Sequence, residues 1–376
     1  MRSREMPEAA PGLANKLMDK LLDRVGGVVD DGFLILPKIL KPFKPKRTID
    51  RETYSAQVDF YFDHGFVDKP ETFFQLPETP PDYRIVTEVP YLDGTRQEIT
   101  FPSPYTPRNP LIADRFLSFP ENKIARLIRW THGGQGRKTL VCLHGYMLGD
   151  PDQAENMFKV RKLFAMGLDV VLFIAPFHWR RAPKEKMLRG MFLQPDDVVM
   201  TCECFGQTMH DLTLSLLALE DMGAGETGLI GASLGGYNAG LFACLSDRIR
   251  FAALMVPAVK FGGDFSPKAA KLPFPVDDNL LDRLNRVWLL HSPLNFYPKI
   301  PKDRILVIAS RGDKLCPFDH VRELCERWDW PRHLFMTGGH WLVVSAGDRG
   351  REWYRFLGDM GFIEAKRKAK QSRAGI

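Results

Sequence analysis

Residues Thr227 to Leu241 read TGLIGASLGGYNAGL, and their reading decides the fold. Leu229 and Ile230 are an apolar pair suited to a short buried strand, and the run of small residues from Gly235 onward suits a closely packed helix. Between them Gly231-Ala232-Ser233-Leu234-Gly235 matches G-x-S-x-G. A serine held on a sharp strand-to-helix turn crowds its neighbours, so the residues two before and two after it must be nearly bare. Such a turn also presents the hydroxyl at a helix N-terminus, where free N–H groups and the dipole favour developing negative charge.

Outward from this stretch, short apolar runs alternate with helical periodicity. Strands are predicted at 139–143, 170–175, 229–231, 251–256, 304–309 and 333–336, with helices at 153–166, 198–222, 237–245, 318–328 and 351–357. Apolar strands each followed by a helix imply a parallel sheet covered on both faces. Upstream, strand-like runs at 83–89, 97–101 and 123–130 suit an antiparallel edge. Residues 258–303 interrupt the alternation and are too long for a simple connection, which suggests a lid carrying a helix at 279–290. Its aromatic and apolar residues, among them Phe261, Phe265, Phe274, Trp288, Phe296 and Tyr297, either line an apolar entrance or pack the lid onto the sheet.

A serine hydroxyl is a poor nucleophile near neutral pH, so Ser233 needs a base, and the base needs an orienting acid. In an open α/β sheet, ligands bind beyond the carboxyl ends of the strands. The strand at 304–309 leads into Ser310-Arg311-Gly312-Asp313, and the last strand leads into Thr337-Gly338-Gly339-His340. Asp313 and His340 are therefore the candidate acid and base, in the chain order Ser, Asp, His. His320, Asp319 and Asp264 are the nearest competitors. An oxyanion hole needs two N–H donors. Leu234 supplies one, and the loop His144-Gly145-Tyr146-Met147 supplies the other, from Tyr146 with Met147 as second choice. His144, at a strand end before glycine, reads as a brace for that loop. Trp179, Arg180 and Arg181 follow the strand at 170–175 and are candidate substrate-binding residues, the arginines either holding a phosphate or carboxylate or pairing with Asp150, Asp152 or the acidic turn Asp196-Asp197.

The runs LVCLHGYM, GASLGG, SRGDKLCP and GGHW, in this order, resemble the α/β-hydrolase superfamily over roughly residues 120–360. APFHWRRAP, GGYNAGL and TGGH resemble its domain-18 branch more narrowly. The resemblance implies a mostly parallel, eight-stranded sheet, a Ser233–Asp313–His340 triad and ester-type acyl chemistry without metal or organic cofactor. A carboxylic ester hydrolase is the expected function. An acyltransferase using the same triad and a non-catalytic binding module on the hydrolase fold are the alternatives.

The organisation expected is an N-terminal extension over 1–82, a hydrolase domain over 83–365 and a basic tail over 366–376. The extension holds an amphipathic stripe over 13–25 (Leu13, Leu17, Met18, Leu21, Leu22, Val25) and a basic, proline-punctuated connector over 37–57. The stripe is expected to pack on the body of the protein, with peripheral membrane contact as the alternative. Net charge is +6, partly from the tail, and no nucleic-acid motif accompanies it. The six cysteines show no paired spacing, which predicts free thiols in a reducing compartment. No signal sequence or membrane-length apolar run is seen, so a cytoplasmic protein acting on a small or lipid-like ester is expected, with peripheral membrane attachment as the alternative.

Overall fold

A computed structural model describes residues 48–184, 192–261, 266–269, 271–341 and 346–364. The stripe at 13–25 and the basic tail lie outside these residues. The central sheet has strands β1 (Arg84–Tyr91), β2 (Gly94–Pro102), β3 (Ile124–Thr131), β4 (Arg137–Leu143), β5 (Asp169–Phe173), β6 (Ala224–Ala232), β7 (Ala252–Met255), β8 (Ile305–Ser310) and β9 (Arg332–Met336). Their spatial order is β1-β2-β3-β5-β4-β6-β7-β8-β9. Every pairing from β5 to β9 is parallel, whereas β1, β2 and β3 add on antiparallel at one edge. The sheet has nine strands among the described residues, one more than the resemblance implies, and they correspond to the nine strand-like runs of the sequence. β1, expected at 83–89, is an almost wholly exposed edge strand held by its hairpin with β2. It rests on backbone pairing, so its burial adds little.

Both faces of the parallel part are covered, which is why β5 and β8 are buried along their whole length. One face carries α1 (Arg51–Asp63), the short α2 (Ala113–Leu117), α5 (Val198–Asp221), α6 (Leu234–Leu245) and α7 (Asp278–Leu289); the other carries α3 (Pro151–Phe158), α4 (Val160–Ala165) and α9 (Ala346–Asp359). The single helix expected over 153–166 is two, because Lys159 adopts φ 56° between them. Helix α8 (Phe318–Arg327) follows β8 and buries Val321, Leu324 and Cys325.

Helix α5 is buried almost from end to end, because the sheet lies on one side and the N-terminal segment and α7 on others. That segment is not a bare connector. Helix α1 begins inside the stretch expected to be one, capped by Asp50, and sends Tyr54, Val58 and Tyr61 into the main core. Ion pairs Arg51–Asp277 and Arg283–Asp59 tie it to α7. In α7 the spacing of Leu280, Leu284, Val287 and Trp288 makes one buried stripe. Trp288 and Phe296 are buried, Phe261 packs among the rings of Phe205, Tyr237 and Trp288, and only Tyr297 of this group is widely exposed. Packing onto the body, rather than lining an entrance, is what most of these side chains do; Phe265 lies outside the described residues. No helix among the described residues is long and apolar enough to cross a membrane.

Candidate active site

At the end of β6 the chain turns on Ser233, whose φ of 56° and ψ of −116° place an L-residue in a strained conformation. The turn is locked by its neighbours. Ser233 N–H donates to Met255 O at 3.0 Å, and its carbonyl accepts from the N–H groups of Tyr237 and Ala258, each at 3.1 Å. The flanking glycines are steric necessities: a Cβ on Gly231 would lie 2.0 Å from Gly235 O, and one on Gly235 would lie 1.8 Å from Leu143 O. Helix α6 starts at Leu234, so the hydroxyl stands at a helix N-terminus with Ser233 as its N-cap.

Asp313 and His340 are brought to the same edge by adjacent loops, those after β8 and β9. Gly312 N–H donates to Gly338 O at 2.8 Å and so stitches the loops together. His340 Nδ1 meets Asp313 Oδ2 at 2.7 Å, both side chains being buried. The other oxygen, Oδ1, accepts from the N–H groups of Leu315 (2.9 Å) and Cys316 (2.7 Å). The carboxylate is thereby held in place, as an orienting acid must be.

Cys316 completes the cluster. Its Sγ lies 3.7 Å from Ser233 Oγ and also hydrogen-bonds the His340 imidazole. Ser233 thus reaches His340 through the thiol; among the described residues its hydroxyl makes no direct hydrogen bond to the imidazole. Burial opposes charge on His340, but Cys316 and Asp313 outweigh it and hold the imidazole well above the ordinary histidine range. Asp313, Cys316 and His340 present donor types suited to a metal, with ligand atoms all within 4.8 Å of one another. Both carboxylate oxygens and Nδ1 are already engaged, however, so the donors form a hydrogen-bonded chain rather than an open cage. Cys316 is the residue of the centre that the sequence reading missed. The signal was the cysteine three residues after Asp313, where a backbone N–H can close a turn on the carboxylate.

The loop after β4 packs on the elbow: a Cβ on Gly145 would touch Ser233 Cβ at 3.6 Å. This places Tyr146 and Met147 beside the serine, with Met147 in the left-handed region at φ 61°. His144 braces the loop. Its Nδ1–H donates to Gly145 O at 2.9 Å while Nε2 accepts from Ala175 N–H at 3.1 Å, and burial depresses its pKa to about 4. It is a neutral structural imidazole.

The residues after β5 serve two different ends. Arg181 is fully buried, donating to Asp211 at 2.6 Å and to the carbonyls of Ile174 and Asn122, so it is not available to a substrate. Arg180 stacks on Trp179 and pairs with Glu98 at 2.9 Å. Both line a cleft with Arg96, Glu98, Asp150 and Asp152, which Ser233, Asp313 and His340 do not line. The partners of the two arginines are Glu98 and Asp211 rather than Asp150, Asp152 or the turn Asp196-Asp197. Of the competing site residues, His320 is half-buried near Lys260 and Glu323, Asp319 lies in the first turn of α8, and Asp264 is outside the described residues.

A parallel sheet with a serine elbow after β6, and acid and base loops after β8 and β9, defines an α/β hydrolase. Two solved structures share the fold: acetyl xylan esterase 1 from Thermoanaerobacterium sp. JW/SL YS485 (TM-score 0.54, 14% identity, 80% of this chain and 93% of that one) and an acetyl xylan esterase from Paenibacillus sp. R4 (TM-score 0.57, 14% identity, 85% and 98%). Uncharacterized protein MT2702 of Mycobacterium tuberculosis (strain CDC 1551 / Oshkosh) is 26% identical over 355 residues, covering 92% of this chain and 84% of its own. The profile of the family described as alpha/beta hydrolase domain containing 18 matches residues 56–262, and the chain belongs to that family. The matched region begins within α1, so residues 56–63 of the N-terminal helix packed on α5 fall inside it.

Proposed function

We propose that the protein is a serine hydrolase that cleaves a carboxylic ester through an acyl-enzyme on Ser233. The observation that carries this reading is the strained serine at a helix N-terminus facing a buried Asp313–His340 pair bonded at 2.7 Å. The reaction begins when the serine side chain turns from Cys316 toward the imidazole, a rotation between staggered positions. His340 takes the hydroxyl proton as Oγ attacks the carbonyl. Asp313 holds the imidazole in the Nδ1–H tautomer and stabilises the imidazolium. The N–H groups of Leu234 and Tyr146 receive the oxyanion. The alcohol leaves with the proton from His340, and a water activated by the same imidazole releases the acid. Two relatives in fold are named acetyl xylan esterases, which makes small acyl esters the first substrates to test. A fluorophosphonate should label wild-type protein at Ser233, and Ser233→Ala should lose both labelling and p-nitrophenyl ester turnover while melting near the wild-type temperature. Turnover that survives the substitution would assign the chemistry to another nucleophile.

A further inference from the structure

We infer that Cys316 is a second nucleophile in this centre, the residue at which a small hydroperoxide oxidises the protein and thereby silences Ser233. The thiol is not an isolated cysteine. Its sulfur touches Ser233 Oγ at 3.7 Å and the His340 imidazole, and that imidazole is anchored by Asp313 at 2.7 Å. A Cys–His–Asp relay is thus built into the same pocket as the serine. The hydrogen bond from Cys316 N–H to Asp313 Oδ1, 2.7 Å, fixes the backbone that aims the sulfur.

Thiolate character and access decide which cysteine is oxidised. The other five, Cys142, Cys202, Cys204, Cys244 and Cys325, lie in the cores against the sheet, and burial pushes each of their thiols up. Cys316 is itself 6% exposed but borders the half-buried Ser233, so a reagent that reaches the serine hydroxyl also reaches the sulfur 3.7 Å from it. In the step, the S–H proton passes to His340 and the thiolate attacks one peroxide oxygen. The S–O bond forms as the O–O bond breaks, and the sulfur gives up an electron pair to the peroxide. The departing hydroxide takes the proton from the imidazolium and leaves as water. The sulfenic oxygen then occupies the gap between sulfur, hydroxyl and imidazole, and His340 can no longer serve Ser233.

The inference rests on Ser233 being the hydrolytic nucleophile, and the test keeps the two separable. Full-length protein is treated with hydrogen peroxide in the presence of dimedone, and adducts are mapped by peptide mass spectrometry. In parallel, peroxide-treated and untreated samples are labelled with a fluorophosphonate. The expected result is an adduct at Cys316 ahead of the other cysteines, with Ser233 labelling reduced about tenfold or more and restored by a thiol reductant when dimedone is omitted. In Cys316→Ser and Cys316→Ala, whatever their basal rates, the treated-to-untreated ratio should stay near one. An unmodified Cys316 peptide beside oxidised cysteines elsewhere overturns the proposal, as does full oxidation of Cys316 with Ser233 labelling unchanged. Equal peroxide loss in both variants does the same. If untreated wild-type protein takes no fluorophosphonate, the hydrolase reading and the silencing fail together, while the oxidation site is judged on its adduct alone.

Discussion

Gly235 shows how narrowly the elbow is drawn. Any Cβ there would overlap the carbonyl of Leu143, a backbone group in the centre of the sheet that has nowhere to move. Gly235→Ala should therefore destabilise by about 3 kcal/mol or more, read from denaturant unfolding; a midpoint within error of wild type would mean that the elbow and β4 are further apart. His340 yields a second expectation at this scale. As a base it must be unprotonated, and Cys316 with Asp313 holds its pKa above the ordinary value of about 6.5. The acid limb of kcat/KM should then lie above that value, with activity rising as pH rises through it. Removing the thiol in Cys316→Ala should move the limb to lower pH. A limb that stays put in the variant would show that the thiol does not act on the imidazole.

Among the elements, α5 carries the arrangement that ties the N-terminal segment to the sheet. Glu203 on this helix is buried, and burial raises its pKa, yet each of its oxygens has two donors. Oε2 accepts from Tyr105 Oη–H at 2.6 Å and Arg108 N–H at 2.9 Å; Oε1 accepts from Tyr61 Oη–H at 3.0 Å and Asn109 N–H at 3.1 Å. Hydrogen bonds to a charged group contribute about 1.5–3 kcal/mol, and orphaned buried donors carry a further penalty. Glu203→Ala should lower stability by about 3 kcal/mol or more and expose the segment around α1 to limited proteolysis. An unchanged cleavage pattern would place the attachment elsewhere, in the ion pairs with α7. The part played by Glu203 was not legible beforehand. A glutamate inside a helical pattern looks solvated until the strands and loops that surround it are known.

Across the whole molecule, three histidines are buried as neutral rings. Burial takes His144 to about 4 and His178 and His291 to about 3, with His144 also acting on His178. Unfolded histidines titrate near about 6.5, so between these values the unfolded chain binds more protons and stability rises with pH. The contribution is complete above the unfolded value and is lost as pH falls from there through about 4 for His144 and about 3 for His178 and His291. Glu203 acts in the opposite sense, as one group against three. The urea midpoint should therefore decline steadily below about pH 6.5. A level midpoint down to about pH 4.5 would show that these rings are solvated.

Local chemistry was enough to read the elbow, the order of Ser233, Asp313 and His340, and the alternation that builds a parallel sheet. Turn geometry demands bare neighbours and apolar strands demand cover, whatever lies far along the chain. The helix at Arg51–Asp63, the burial of Arg181 against Asp211 and the thiol between hydroxyl and imidazole were decided by tertiary structure. Each depends on which distant groups share a small volume, and one-dimensional patterning does not encode distance in space. Cys316 is the sharpest case: three positions after Asp313 it looks like one more buried cysteine, and only the meeting of the loops after β6, β8 and β9 puts its sulfur against Ser233.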